Sequence, residues 1–208
     1  MVAHVLCTDG LPLLSRTAPA WAAQVLCDPL ALLADHAYLE RKAASNALDL
    51  INRWPHVDCP GDWVCILAAV ARDETTHLHA VSRLLVTRGG QLPRTHRNPY
   101  ATALHTLVRR GQGAFELLDR LLVSALIEAR SCERFDLLTV ACCDRELAEF
   151  YRGLLASERS HYQVFLHLAA EVATPAVGAA RWQALLQAEA AIIAAQAPGP
   201  RMHSGVAP

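Results

Sequence analysis

A chain of 208 residues with a net charge of −1 is long enough to bury a core, and its bulk charge excludes a general affinity for nucleic acid or anionic membranes. Apolar residues make up 53% of it, with Ala and Leu dominant and β-branched runs scarce, which favours helices over sheet. Seven cysteines (Cys7, Cys27, Cys59, Cys65, Cys132, Cys142, Cys143) form no Cys-x-x-Cys pair. They read as reduced, mostly buried thiols of a cytoplasmic protein, and the missing pairs exclude an attached rubredoxin-like iron site.

The first eighteen residues read as irregular, and the stretch 2–14 is too broken by Asp9, Gly10 and Pro12 to be a signal sequence. Asp28-Pro29 predicts a helix start, with a stop near Trp54 ahead of Pro55 and Pro60-Gly61. Asp62 can cap a second helix, which Gly89-Gly90 ends. Asn98-Pro99 opens a short helix that stops near Gly111, and a third long helix runs from Gly113 to about Thr139. Asp144 can cap a fourth, to about Val172, and Thr174-Pro175 opens a last helix to about Gln196. The Pro, Gly and Ser of 197–208 predict a mobile tail beyond a single helical domain of 1–196. No apolar run reaches about 18 uncharged residues, so no membrane span is expected. Four long helices thus form two antiparallel pairs joined by a long crossover holding a small helix. That is an all-α, ferritin-like four-helix bundle with an additional C-terminal helix.

The second helix carries a seam at steps of three and four: Leu67, Val70, Glu74, His77, Val81, Leu84. The fourth repeats it with Leu147, Tyr151, Leu154, Glu158, His161, Phe165 and Leu168. In both, a Glu-x-x-His pair replaces two apolar residues in the middle of the stripe. One such pair arises by chance about half the time in a chain with this much Glu and His; two, both centred on apolar seams, are a signal. Glu40 lies on the stripe of the first helix and Glu128 on that of the third. Each helix pair then supplies one single Glu and one Glu-x-x-His, as an internal pseudo-twofold requires.

An unpaired carboxylate in an apolar interior costs several kcal/mol, and four together repel one another or hold protons. Two divalent cations remove that penalty. Four Glu and two His make an oxygen-rich, nitrogen-poor shell suited to iron or manganese rather than to thiolate-bound zinc. Glu133 competes with Glu128; five residues apart on a helix, the two point about 140° apart and cannot both reach the metals. His36, one turn before Glu40, is either an orienting neighbour of a ligand or a core histidine. Ser124, one turn before Glu128, could manage protons on bound oxygen. Tyr151 and Tyr162 are candidates for redox chemistry or simple packing.

The runs DHAYLERKAAS (35–45), RDETTH (72–77), NPYATALHTLVR (98–109), ALIEARSCERF (125–135) and EFYRGLLASERSHY (149–162) resemble the MiaE family of tRNA 2-methylthio-isopentenyl-adenosine hydroxylases. The resemblance implies a non-haem di-iron monooxygenase that hydroxylates the isopentenyl group of the hypermodified adenosine next to the tRNA anticodon, consuming dioxygen and two electrons. It implies Glu40, Glu74, His77, Glu128, Glu158 and His161 as ligands of two iron ions. No flavin or nicotinamide signature is present, so a separate reductase is expected, with a monomer or small homo-oligomer and no membrane partner. Arg94, His96 and Arg97 in the crossover, with Arg109 and Arg110, could contact phosphates of the tRNA anticodon stem-loop. Tyr100 could offer a stacking surface. The alternatives are a ferritin-like ferroxidase, a rubrerythrin-like peroxidase, or a metal-free helical binding module.

Overall fold

The computed structural model describes residues 10–207. Seven helices follow in order: α1 (Ala20–Val25), α2 (Pro29–Ile51), α3 (Trp63–Thr87), α4 (Pro99–His105), α5 (Ala114–Ala141), α6 (Arg145–Val172) and α7 (Pro175–Ala194). Among the described residues the one β-type pairing is an isolated bridge between Pro198 and Gly205. No helix among them is long and apolar enough to cross a membrane.

Local chemistry sets the ends of most helices. Asp28 accepts from the Ala31 amide at 3.0 Å with Pro29 in the first turn, and Asn98 accepts from the Ala101 amide at 3.1 Å with Pro99 behind it. Asp144 accepts from the Leu147 amide at 3.1 Å. Asp62 precedes α3 but makes no such bond, so the predicted cap is absent there. At the far end of α3, Gly89 takes a φ of 82°, and the amides of Gly89 and Gly90 return to Val86 and Leu85 oxygens at 3.0 and 2.9 Å. This is a Schellman stop, which needs the left-handed conformation that glycine adopts freely.

α2 pairs with α3 and α5 with α6; residues 88–113 form the crossover between the pairs. Helix α5 has 20 of its 28 residues buried, because the bundle covers one side while α1, α4 and α7 cover the other. Apolar layers led by Leu67, Leu118, Leu121 and Phe165 fill one end of the bundle, and Trp21, Leu33, Val81, Phe135 and Tyr151 fill the other.

Two expectations need correction, and one element was not foreseen: helix α1 begins at Ala20, just beyond the first eighteen residues, and at six residues is too short to show a period; its Trp21 and Val25 are fully buried. The thiols are mostly not buried: Cys132 is, but Cys27, Cys59, Cys65 and Cys143 are exposed, in loops or on an outer helix face; Cys7 lies outside the described residues. The segment 197–207 is a packed strap and not a mobile tail. Met202 and Ser204 are buried, the Met202 amide donates to Asp35 Oδ2 at 2.8 Å, and Trp21 Nε1 donates to Ser204 Oγ at 3.2 Å. Its small and polar composition hid an apolar anchor and backbone groups that bond to the body.

A second polar system lies on the outer side of α5. Arg130, fully buried, donates to both oxygens of Glu189 on α7 at 2.9 Å and to Glu133. The Tyr100 hydroxyl donates to Glu189 at 2.9 Å, and Thr17 donates to Glu133 through its amide at 3.1 Å and its hydroxyl at 2.6 Å. Paired in this way, the buried charges pin α4, α7 and the N-terminal segment to α5.

Candidate metal centre

Helical spacing delivers the cluster. On α3 and α6 the i, i+3 pairs Glu74/His77 and Glu158/His161 present two side chains each to the bundle axis. α2 adds Glu40 and α5 adds Glu128. All six are buried, with exposures of 1% for Glu74 to 8% for His77. Their ligand atoms fall into two groups, Glu40/Glu74/His77/Glu158 and Glu74/Glu128/Glu158/His161, each with all atoms within 4.8 Å of one another. Glu74 and Glu158 belong to both groups. That is the geometry of two adjacent cation positions with two shared carboxylates between them, and each end has its own Glu and His.

The histidines face inward through Nδ1. His161 Nδ1 is 2.7 Å from Glu74 Oε1, and His77 Nδ1 is 3.2 Å from Glu158 Oε1 and 3.5 Å from Glu40 Oε2; the rings are 5.9 Å apart. Yet Glu74 Oε1, His77 Nδ1, Glu158 Oε1 and His161 Nδ1 make no well-formed hydrogen bond, although all are buried. Buried polar atoms are normally satisfied. Four of them converging on one space, with an oxygen-rich donor set, fit a pair of divalent cations such as iron.

Electrostatics point the same way. Burial pushes Glu74 and Glu128 well above the usual carboxylate range, and the charge of Glu158 adds to both. Burial opposes charge on His77 too, but the carboxylates of Glu158 and Glu40 outweigh it and raise the imidazole to about 10. Burial also acts against ionised Glu40, but the neighbouring His36 imidazole, 2.5 Å away, holds that carboxyl far below its ordinary range. Without cations, the cluster must balance its charge with protons.

Other predicted residues divide cleanly. Glu133 points away from the cluster into the Arg130 network, so Glu128 alone of the two joins the cluster. His36 touches Glu40 and stacks on Tyr151 at 5.6 Å. Tyr151 is fully buried and its hydroxyl has no hydrogen-bond partner, whereas half-buried Tyr162 sits against Trp182 at 6.5 Å. Ser124 lies in the wall of a cavity of about 170 Å³ that Glu128 also lines. Leu39, Ala43, Ala101 and Ile127 make it largely apolar. Ser124 Oγ accepts from Asn46 Nδ2 at 2.9 Å and donates to the Arg120 carbonyl.

The residues read as nucleic-acid contacts need revision. Arg94, Arg97 and Arg110 are exposed. Tyr100 is not a stacking surface: it is fully buried, because its hydroxyl serves Glu189 and its ring stacks on His203 at 4.5 Å. Arg109 is bound to Asp119 by two bonds of 2.9 and 2.7 Å and serves to anchor the crossover. Asn46 was missed because a lone polar residue on a helix carries no signal of its own. The Arg130–Glu133 pair was legible as an i, i+3 spacing, but Glu189 came from a helix whose burial could not be foreseen.

A family model described as tRNA-(MS[2]IO[6]A)-hydroxylase (MiaE) matches residues 9–204. A tRNA 2-(methylsulfanyl)-N(6)-isopentenyladenosine(37) hydroxylase of Pseudomonas putida is 40% identical over 191 residues, covering 91% of this chain and 90% of that protein. The protein of that name from Salmonella typhimurium is 33% identical over 140 residues, 67% of this chain and 51% of its own length. Among solved structures, a Synechococcus protein described as having aldehyde deformylating oxygenase activity superposes with a TM-score of 0.86 at 33% identity, covering 93% of this chain and 96% of that one. With that neighbour the fold is ferritin-like, and the chain belongs to the MiaE family of tRNA hydroxylases.

Proposed function

We propose that this enzyme hydroxylates the isopentenyl group of 2-methylthio-isopentenyl-adenosine next to the tRNA anticodon, in the cytoplasm, with two iron ions and dioxygen. The observation that carries the reading is a six-residue cluster with four unsatisfied inward-facing atoms, bordered by an apolar cavity. The names of the relatives support the substrate, and the oxygenase neighbour supports oxygen chemistry over iron storage or peroxide reduction.

Glu40 and His77 would hold one iron and Glu128 and His161 the other, with Glu74 and Glu158 shared. The bound iron supplies dioxygen activation, with electrons from a separate reductase. The protein's own part is position and dryness. His36 fixes the orientation of Glu40 through its hydrogen bond. The cavity of about 170 Å³ is smaller than the roughly 300 Å³ at which pockets begin to enclose whole drug-sized ligands, so it takes an alkyl side chain while the purine stays at the mouth. Leu39, Ala43 and Ile127 exclude water from that chain, and the Asn46–Ser124 pair offers one polar point beside Glu128 where a new hydroxyl can hydrogen-bond.

The test is turnover of a tRNA bearing the isopentenyl nucleoside by iron-loaded protein with a reductant and dioxygen. Nucleoside mass analysis should find a product heavier by one oxygen atom. An unchanged nucleoside with the iron in place would refute the assignment.

A further inference from the structure

A chain of net charge −1 needs local charge to hold RNA. Eight of the 18 arginines are spoken for: Arg53, Arg72, Arg88, Arg109, Arg120, Arg130, Arg145 and Arg181 all pair with carboxylates. Arg41, Lys42, Arg94, Arg97 and Arg201 pair with none among the described residues, and they gather in one place. Arg97 and Arg201 line a groove of about 450 Å³ between the start of α2, the crossover and the C-terminal strap. Arg41 and Arg94 line the next one, of about 270 Å³. Lys42 stands in the wall of the cavity that reaches Glu128.

The three spaces are neighbours along α2. His96 lines the first, stacks on Tyr38 of the second at 4.8 Å, and bonds through Nδ1 to the Lys42 ammonium of the third at 2.8 Å. The carboxylates lining them are Asp35 and Glu128. Asp35 is already occupied by His96 at 2.7 Å and by the Met202 amide, and Glu128 faces the metal cluster. Burial and the nearby Arg41 charge lower the Lys42 ammonium, and the carboxylate that opposes them, Asp35, is the one already held by His96 and the Met202 amide. The strap is what brings in Arg201: with the Met202 amide bonded to Asp35, the preceding residue lines the same groove as Arg97.

From this we infer that Arg41, Arg94, Arg97 and Arg201 form a track for the phosphodiester backbone of an RNA strand, leading to Lys42 at the cavity mouth. The inference rests on the proposed tRNA reading and adds to it which residues carry the strand and why the C-terminal segment is needed. Phosphate contacts fix where a strand lies without reading its sequence. Here they would set the modified adenosine over the cavity.

The experiment measures binding of a tRNA anticodon stem-loop bearing the isopentenyl nucleoside across a salt series, for wild type, Arg97→Gln, Arg201→Gln and the control Arg152→Gln, an exposed arginine of α6 outside these cavities. Each track variant should lose affinity and flatten the salt slope by about 0.7–0.9 per charge removed. KM for the RNA should rise with kcat, iron content and thermal stability unchanged. Wild-type slopes in both track variants, or an equal loss in Arg152→Gln, would overturn the track. Wild-type hydroxylation together with unchanged variant slopes overturns the track and leaves the function standing; salt-dependent binding that the track variants weaken, without hydroxylation, does the reverse.

Discussion

Glu128 and Glu133 sit five residues apart on one helix, both buried, yet they do opposite work. Glu128 faces carboxylates and has no cation of the protein to neutralise it, so it demands a metal or a proton. Glu133 meets the Arg130 guanidinium and two Thr17 donors and demands neither. Replacing Glu133 with Gln should therefore leave iron uptake intact and cost stability, about 3 kcal/mol for breaking a buried pair, read by denaturant unfolding of the metal-free proteins. If Glu133→Gln abolished iron binding instead, the separation of the two sites would be wrong. Four of the six cluster residues, Glu74, His77, Glu158 and His161, were legible in the sequence because a polar pair in the middle of an apolar seam is physically anomalous; Glu40 and Glu128 were legible as lone carboxylates on the stripes of the other two helices. The Glu128/Glu133 choice was legible only as an angle, and the arginine that decides it is contacted by a distant helix.

At the scale of elements, the long helices announced themselves through caps, prolines and seams, and their observed ends lie within a few residues of those signals. Short and irregular pieces did not. α1 and the strap are held by tertiary contacts, such as Trp21 with Ser204 and the Met202 amide with Asp35, that leave no periodic trace. The strap turns back on itself at Gly205, whose amide bonds to the Ala197 oxygen at 3.0 Å. A Cβ at Gly205 would stand 1.8 Å from the Gln196 carbonyl oxygen, a backbone atom that cannot swing aside. Gly205→Ala should consequently unseat the strap. The expected result is a melting temperature lower by several degrees, at about 2–4 °C per kcal/mol for a chain of this size, together with weaker RNA binding because Arg201 is displaced. A variant that melts and binds like wild type would show that the strap is not fixed by this turn.

Over the whole molecule, the bundle divides its polar interior in two. The outer network around Arg130 is neutralised by the chain's own charges and locks α4, α7 and the N-terminal segment onto α5. The inner cluster's four carboxylates are only partly neutralised from within, by His77 beside Glu158 and Glu40, and its cavity lies beside the basic face formed by α2, the crossover and the strap. The function follows from that asymmetry, because only the unsatisfied cluster has reason to take up cations. The most direct test is the iron content of protein reconstituted with ferrous iron in the absence of oxygen and freed of excess metal. About two ions per chain are expected for wild type, with loss on Glu128→Ala. A wild-type chain that retains no iron, or a Glu128→Ala chain that holds as much as wild type, would contradict the account.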